Sequence, residues 1–392
     1  MMHTTVRRLL LVTLAAALAA SPLAPDARAA TMLRPRTSNK TADLARQALG
    51  SDPDASWEAV QALRDMGEKG KPRLTGVVRQ LLERGREVVL RASRLMSDPK
   101  KADGLRERLN TTRGKALANI ARLQKGKPVH LAHQYYDDLD GMFEVLEKVF
   151  EVRDAVRRVM VTRSRVLPIW RDLGVDDRRF SAENEAKLAE TAQAILGLPV
   201  AEVTAIPAFG QGNPPPAGST VWHYWFWAAC RRIEAYNEGL KRLMSSAEFG
   251  NLQKVNHYRE LLGILPVEVD ARLLQSARRH SKEMSDLGYF SHDSPKADHK
   301  DAFTRMKKAG YAKGAGENIA MGHMSSSSVF WAWFDSPGHH KNMAATGVTA
   351  LGVGKWSVYW TQNFGRGHRI MLLGEDARNQ VAVKGTVLAP RG

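Results

Sequence analysis

Residues 316–343 read GENIAMGHMSSSSVFWAWFDSPGHHKNM, a glutamate, three histidines and a serine run gathered around two tryptophans. A surface helix has no need of such a set. Ser325 to Ser328 suit a helix N-cap, and Phe330, Trp331 and Phe334 follow at spacings that put rings on one helical face. Upstream, NHYRELLGILPVEVDARLLQSARRHSKEMSDLGYFSH predicts a helix to Leu262 and a Gly-Ile-Leu-Pro turn. A second helix then stripes Leu273, Leu274, Ala277, His280 and Met284. A polar stretch leads to a helix around Ala302 to Lys308. Downstream, ALGVGKW and VYWTQNFG predict two strands separated by Ser357, a tight hairpin. The expectation is helices packed on a small antiparallel sheet.

The rest of the chain divides differently. With 392 residues there is room for two or three cores. Arg7 and Arg8, the apolar run LLLVTLAAALAA and Ala27-Arg28-Ala29 fit an export signal over residues 1–29, cleaved after Ala29. No later stretch approaches membrane-spanning length. From 30 to 205 the periodicity is helical: SWEAVQALRDMG opens with Ser56 as cap and aligns Val60, Leu63 and Met66, the face of a helical bundle. The helices joined by GEKGKPR are similar to a HEAT-type hairpin, but no second copy follows at a fixed period. Residues 206–220, IPAFGQGNPPPAGST, read as a linker, and 221–249 as a connecting helix. Its Trp222, Tyr224, Trp225, Phe226 and Trp227 suit a docked apolar helix better than a membrane-surface anchor, since Arg231 and Arg232 follow at once. Residues 250–366 form the C-terminal domain and 367–392 a tail.

One cysteine, Cys230, precludes an internal disulfide, so an exported chain of this kind relies on its cores. That favours a bacterial envelope or secreted setting. Lys and Arg number 58 against 41 Asp and Glu, a net +17 that draws anionic polymers or lipids. No dense basic tract, zinc-finger spacing or aromatic RNA-binding motif argues for nucleic acid.

The pieces VNHYRELLGILPVEVD, FSH (Phe290 to His292), GENIA from Gly316, WFDSPGHHKNM from Trp333 and YWTQNFG from Tyr359 stand in one order. That order resembles the CAP superfamily, named for cysteine-rich secretory proteins, antigen 5 and pathogenesis-related proteins, in its bacterial SCP-like branch. The resemblance covers under a third of the chain. It implies an α-β-α sandwich CAP domain; with the helical periodicity that precedes it, the chain reads as α+β, an all-helical N-terminal region followed by that domain. In many members a cleft holds two histidines and two acidic residues. The motifs place His292 and His339 as the histidines and Glu317 as one acid. Where other members carry a second glutamate this chain has Ser336, with Asp335 one place earlier; Asn318 adjoins Glu317.

Two imidazoles and a carboxylate can bind a divalent metal such as zinc, with His292 and His339 as ligands, or shuttle protons. They can equally satisfy one another's hydrogen bonds with no turnover. His280 with Glu283 reads as an ordinary helix pair, His340 as turned outward, His323 as solvated, and Ser294, Ser325 and Ser336 as turn and cap residues. Three functions compete: a non-catalytic extracytoplasmic binding module for an envelope lipid, glycan or protein; a metal-assisted hydrolase, such as a protease; and an assembly scaffold built by the helical region. The incomplete acidic set leans away from an enzyme.

Overall fold

The computed structural model describes residues 40–50, 53–96, 98–123 and 130–373, so the expected export signal and most of the 367–392 tail lie outside the described residues. The chain forms two compact units. One comprises the described residues up to Gly104 with Leu146–Ile206; the other comprises the described part of Leu105–Val145 with the described residues from Pro207 onward.

The first unit is helical, as its periodicity predicts. Helices α1 (Lys40–Ala48), α2 (Pro53–Asp65) and α3 (Lys71–Leu95) bury Val60, Leu63, Leu74, Val77 and Leu82 with Val166, Ile169 and Trp170. Helices α4 (Pro99–Arg122) and α5 (His130–Asp172) supply residues to both units. Helices α6 (Ala182–Leu196) and α7 (Val200–Thr204) complete the first. Ser56, expected to open a helix, lies inside α2, and its hydroxyl donates to the Ala48 carbonyl. Arg153 and Arg163 are buried because each meets an acid: Arg153 Nη1 lies 2.8 Å from Asp103 Oδ1, and Arg163 pairs with Glu185.

In the second unit, residues 207–219 contain no helix or strand. Helix α8 (Thr220–Gly239) begins at Ser219, whose Oγ accepts from the Trp222 N–H at 3.1 Å. Trp222 and Tyr224 to Trp227 are buried, which fits the docked reading. Cys230 beside them is a buried free thiol whose pKa burial raises. Among the described residues no helix is long and apolar enough to cross a membrane.

The C-terminal module runs α9 (Ser246–Leu261), β1 (Glu268–Val269), α10 (Ala271–Leu287), α11 (Ala302–Lys308), β2 (Gly314–Met321), α12 (Ser326–Phe334), α13 (Pro337–Met343), β3 (Ala350–Trp356) and β4 (Tyr359–Gly365). Two strands were expected and four are described, in the order β1-β3-β4-β2. The sheet is mixed, with β1 parallel to β3 and the other pairs antiparallel. Strand β1 is too short to show alternation, and β2 is the GENIA segment, whose polar Glu317-Asn318 pair hides it. The β3–β4 turn holds two residues, Ser357 and Val358, rather than one, with Ser357 at φ 55°.

Successive strand residues face opposite sides of a sheet. On β4, Gln362 Nε2 donates to Asn251 Oδ1 of α9 at 2.7 Å, while Asn363 lies 3.0 Å from Ser276 Oγ of α10. Helices α9 and α10 therefore cover opposite faces, an α-β-α sandwich. Glycines let α10 lie directly on β3. A Cβ at Gly352 would fall 2.1 Å from the Leu273 carbonyl carbon, and one at Gly354 would fall 2.2 Å from the Arg278 nitrogen.

Candidate functional site

Register decides which side chains meet. Strands β2 and β4 pair Glu317 with Asn363 and Asn318 with Gln362. Glu317 therefore shares the α10 face with Asn363, and Asn318 lies on the α9 face. There Asn318 Nδ2 donates to Gln362 Oε1 at 2.9 Å and to the His339 carbonyl at 3.2 Å, and its Oδ1 accepts from Asn342 at 2.8 Å. Asn318 is a fully buried tie that fixes the start of α13.

The Glu317 side chain is 2% exposed. Arg305 Nη2, from α11, donates to its two oxygens at 2.8 and 2.9 Å, and His292 Nδ1 lies 2.9 Å from Oε1. With the Asn363 amide turned so that both its ends find partners, its Nδ2 donates to Oε2 at 3.0 Å. These four contacts use the hydrogen-bonding capacity of a carboxylate. Burial pushes the Glu317 pKa up, but the His292 bond and the Arg305 charge outweigh it and hold the group below the usual range.

His292 and Glu317 thus meet directly, with His292 about half exposed at 52%. His339, partly buried in α13, has its pKa lowered by burial and then by the charge of His292. Asp335 is exposed and pairs with His133 of α5. Ser336 precedes α13 and makes no side-chain capping bond.

Two expectations need correction. His340 is not turned outward: it is fully buried, with Nε2 2.7 Å from the Tyr258 hydroxyl and Nδ1 2.7 Å from the Phe334 carbonyl. Both nitrogens are satisfied there, which makes burial of the neutral ring tolerable, and burial lowers its pKa to about 4. His280 and Glu283, read as an ordinary helix pair, each bond to other partners instead. His280 is wholly buried, its Nε2 3.1 Å from the Ser291 carbonyl and 3.9 Å from Glu317 Oε1. Glu283 accepts from the Tyr289 hydroxyl at 2.6 Å and from Ser294, and lies 2.9 Å from His299 Nδ1. Burial would raise the Glu283 pKa; those bonds bring it to about 2. The sequence reading named neither Arg305 nor His299, and gave Asn363, His280 and Glu283 no part in the site. The available signal was the polar spacing of Ser276, Arg279, His280 and Glu283 along one face of α10.

The donor set does not fit a zinc centre. Arg305 already occupies both Glu317 oxygens with positive charge, which would repel a divalent ion. Among the described residues no group of three or more His, Cys, Asp or Glu is placed to hold a metal.

A mixed sheet between helices, with Glu317 on its edge strand meeting His292, fits a CAP-type domain. Residues 252–364 match the Cysteine-rich secretory protein family, CAP, and this segment of the chain is a CAP domain. The uncharacterized protein YkwD of Bacillus subtilis (strain 168) is 38% identical over 124 residues, 31% of this chain and 48% of that protein. The uncharacterized membrane protein YlbC of the same organism is 33% identical over 130 residues, 33% of this chain and 37% of that protein. The match therefore spans less than half of either relative. Among solved structures, an extracellular protein containing an SCP domain from Bacillus anthracis str. Ames is 33% identical, covering 31% of this chain and 41% of that one at a TM-score of 0.28.

Proposed function

We propose that the chain is an exported binding protein whose CAP domain recognises an envelope lipid, glycan or protein without turning it over. The observation that carries this reading is the saturated Glu317 carboxylate. A carboxylate with its acceptor sites engaged and its pKa held low is a poor proton acceptor near neutral pH and offers no free oxygen to a metal. The export-signal pattern at residues 1–29 and the +17 charge support an anionic envelope as the setting.

The test uses the mature full chain. After exposure to zinc and removal of loose ions, elemental analysis is expected to find no retained metal, and no chelator-sensitive hydrolysis should accompany it. Cosedimentation with isolated bacterial envelopes should persist in the His292→Ala variant. Stoichiometric zinc lost in both His292→Ala and His339→Ala would overturn the reading in favour of the metal-assisted hydrolase.

A further inference from the structure

The turn that joins β2 to α12 carries Met-Gly-His-Met, Met321 to Met324, which has no part in the Glu317 cluster. Methionine is ordinarily a core residue. Among the described methionines only Met321 and Met324 are exposed, at 47% and 71%. Their backbone is held in place. Gly322, at φ 88°, a turn conformation that favours glycine, donates its N–H to the Val358 carbonyl at 3.0 Å, and the His323 carbonyl accepts from Trp360 Nε1 at 2.7 Å. Ser325 then caps α12. The side chains are not held in this way. The His323 ring makes no hydrogen bond, ion pair or ring contact among the described residues, and both methionines are open to solvent.

Chain connectivity keeps these donors together. From Met321 to Met324 a fully extended chain spans about 11 Å at most, and the Gly322 turn shortens it. Methionine is unbranched with three rotatable bonds, so two thioether sulfurs and one imidazole nitrogen can close on a single ion without moving the sheet. The donor chemistry selects that ion. Thioether sulfur is soft and favours Cu(I) over harder divalent ions, and imidazole suits copper as well. The sequence holds no Asp or Glu between Glu317 and Asp335, and the Ser325 and Ser328 hydroxyls bond to each other and to the turn backbone. The turn therefore supplies no carboxylate for calcium or magnesium. We propose that Met321, His323 and Met324 bind one monovalent copper ion, with two thioether sulfurs and one imidazole nitrogen as its ligands. Met321 lies four residues, about 13 Å, beyond Glu317 along β2, so this site is separate from the Glu317 cluster and its occupancy is independent of envelope binding.

Titrating the Cu(I)–bicinchoninate complex with the full chain, under ascorbate and without oxygen, tests the site. The chain is expected to withdraw one copper per molecule, and an excess of zinc should leave that copper in place, because thioether sulfur prefers the softer ion. The Met321→Leu/Met324→Leu double variant keeps volume and apolar character at two exposed positions, so the fold is retained while the stoichiometric copper is lost. His323→Gln should bind copper roughly tenfold or more weakly, since changes to outer-shell partners alone cost a metal site that much. Copper K-edge absorption of the loaded chain should show both sulfur and nitrogen neighbours, with the sulfur lost in the double variant. No copper withdrawn, displacement by zinc, or parental affinity in the double variant would each overturn the assignment. In the last case the copper would belong to other donors, such as the buried Cys230 thiol.

Discussion

At the scale of single residues, the module spends its buried polarity in neutral histidines and paired carboxylates. Burial lowers the His280 and His340 pKa values to about 4 from an ordinary 6.5. A group whose folded pKa is depressed is protonated first in the unfolded chain. Its stabilising contribution is therefore complete above about pH 6.5 and is lost as pH falls through 4. Each such histidine contributes on the order of 3 kcal/mol to that acid limb. Below it, Glu283 and Glu317, both held low, extend the loss to more acid pH. His340→Gln retains a donor for the Phe334 carbonyl and an acceptor for the Tyr258 hydroxyl but cannot titrate. Thermal melts from pH 7 to pH 4 are expected to show a shallower fall in Tm for this variant than for the parent chain. Parallel curves would show that His340 does not carry the acid sensitivity.

At the scale of elements, the decisive contact is α10 lying on β3. Gly352→Ala sets a methyl 2.1 Å from the Leu273 backbone, and no side-chain rotation relieves a clash with backbone. The helix must lift from the sheet, with an expected cost of about 3 kcal/mol or more, the upper end of overpacking effects. Chemical denaturation should place the midpoint well below that of an exposed control such as Gly338→Ala, whose Cβ would meet nothing within 4 Å. Indistinguishable midpoints would mean that the α10–β3 approach is looser than described. How far these elements were legible depended on their length and pattern. Helices α9 to α12 announced themselves by periodicity and caps, and the β3–β4 hairpin by its aromatic and β-branched residues. The resemblance supplied His292, Glu317 and His339 because they sit in contiguous motifs. It left out Arg305, which reaches Glu317 from α11 through tertiary structure alone, and assigned no role to Asn363, although YWTQNFG contains it. His280 was hidden by its own company, since it shares a helical stripe with Leu273, Ala277 and Met284 and reads as a core position.

At the scale of the whole molecule, the matched CAP segment does not account for the unit that contains it. Arg113 of α4, buried, donates to the Leu261 and Glu260 carbonyls at 2.9 and 2.7 Å and so closes the C-terminus of α9. Tyr136 of α5 packs edge-on against Trp331 and Phe334. Those residues belong to the stretch that sequence alone assigned to a separate helical bundle, where each read as one more helical position. Charge is the other property carried by the chain at large, +17 with no dense basic tract. Attraction from such a distribution acts at long range, and salt shortens that range from about 10 Å at 0.1 M to about 3 Å at 1 M. Cosedimentation with anionic envelopes is therefore expected to weaken severalfold between about 0.1 M and 1 M salt, because dispersed surface charges carry it. If envelope association instead holds constant across that range, a salt-insensitive apolar contact carries it, and the chain's basic character is unconnected with its docking.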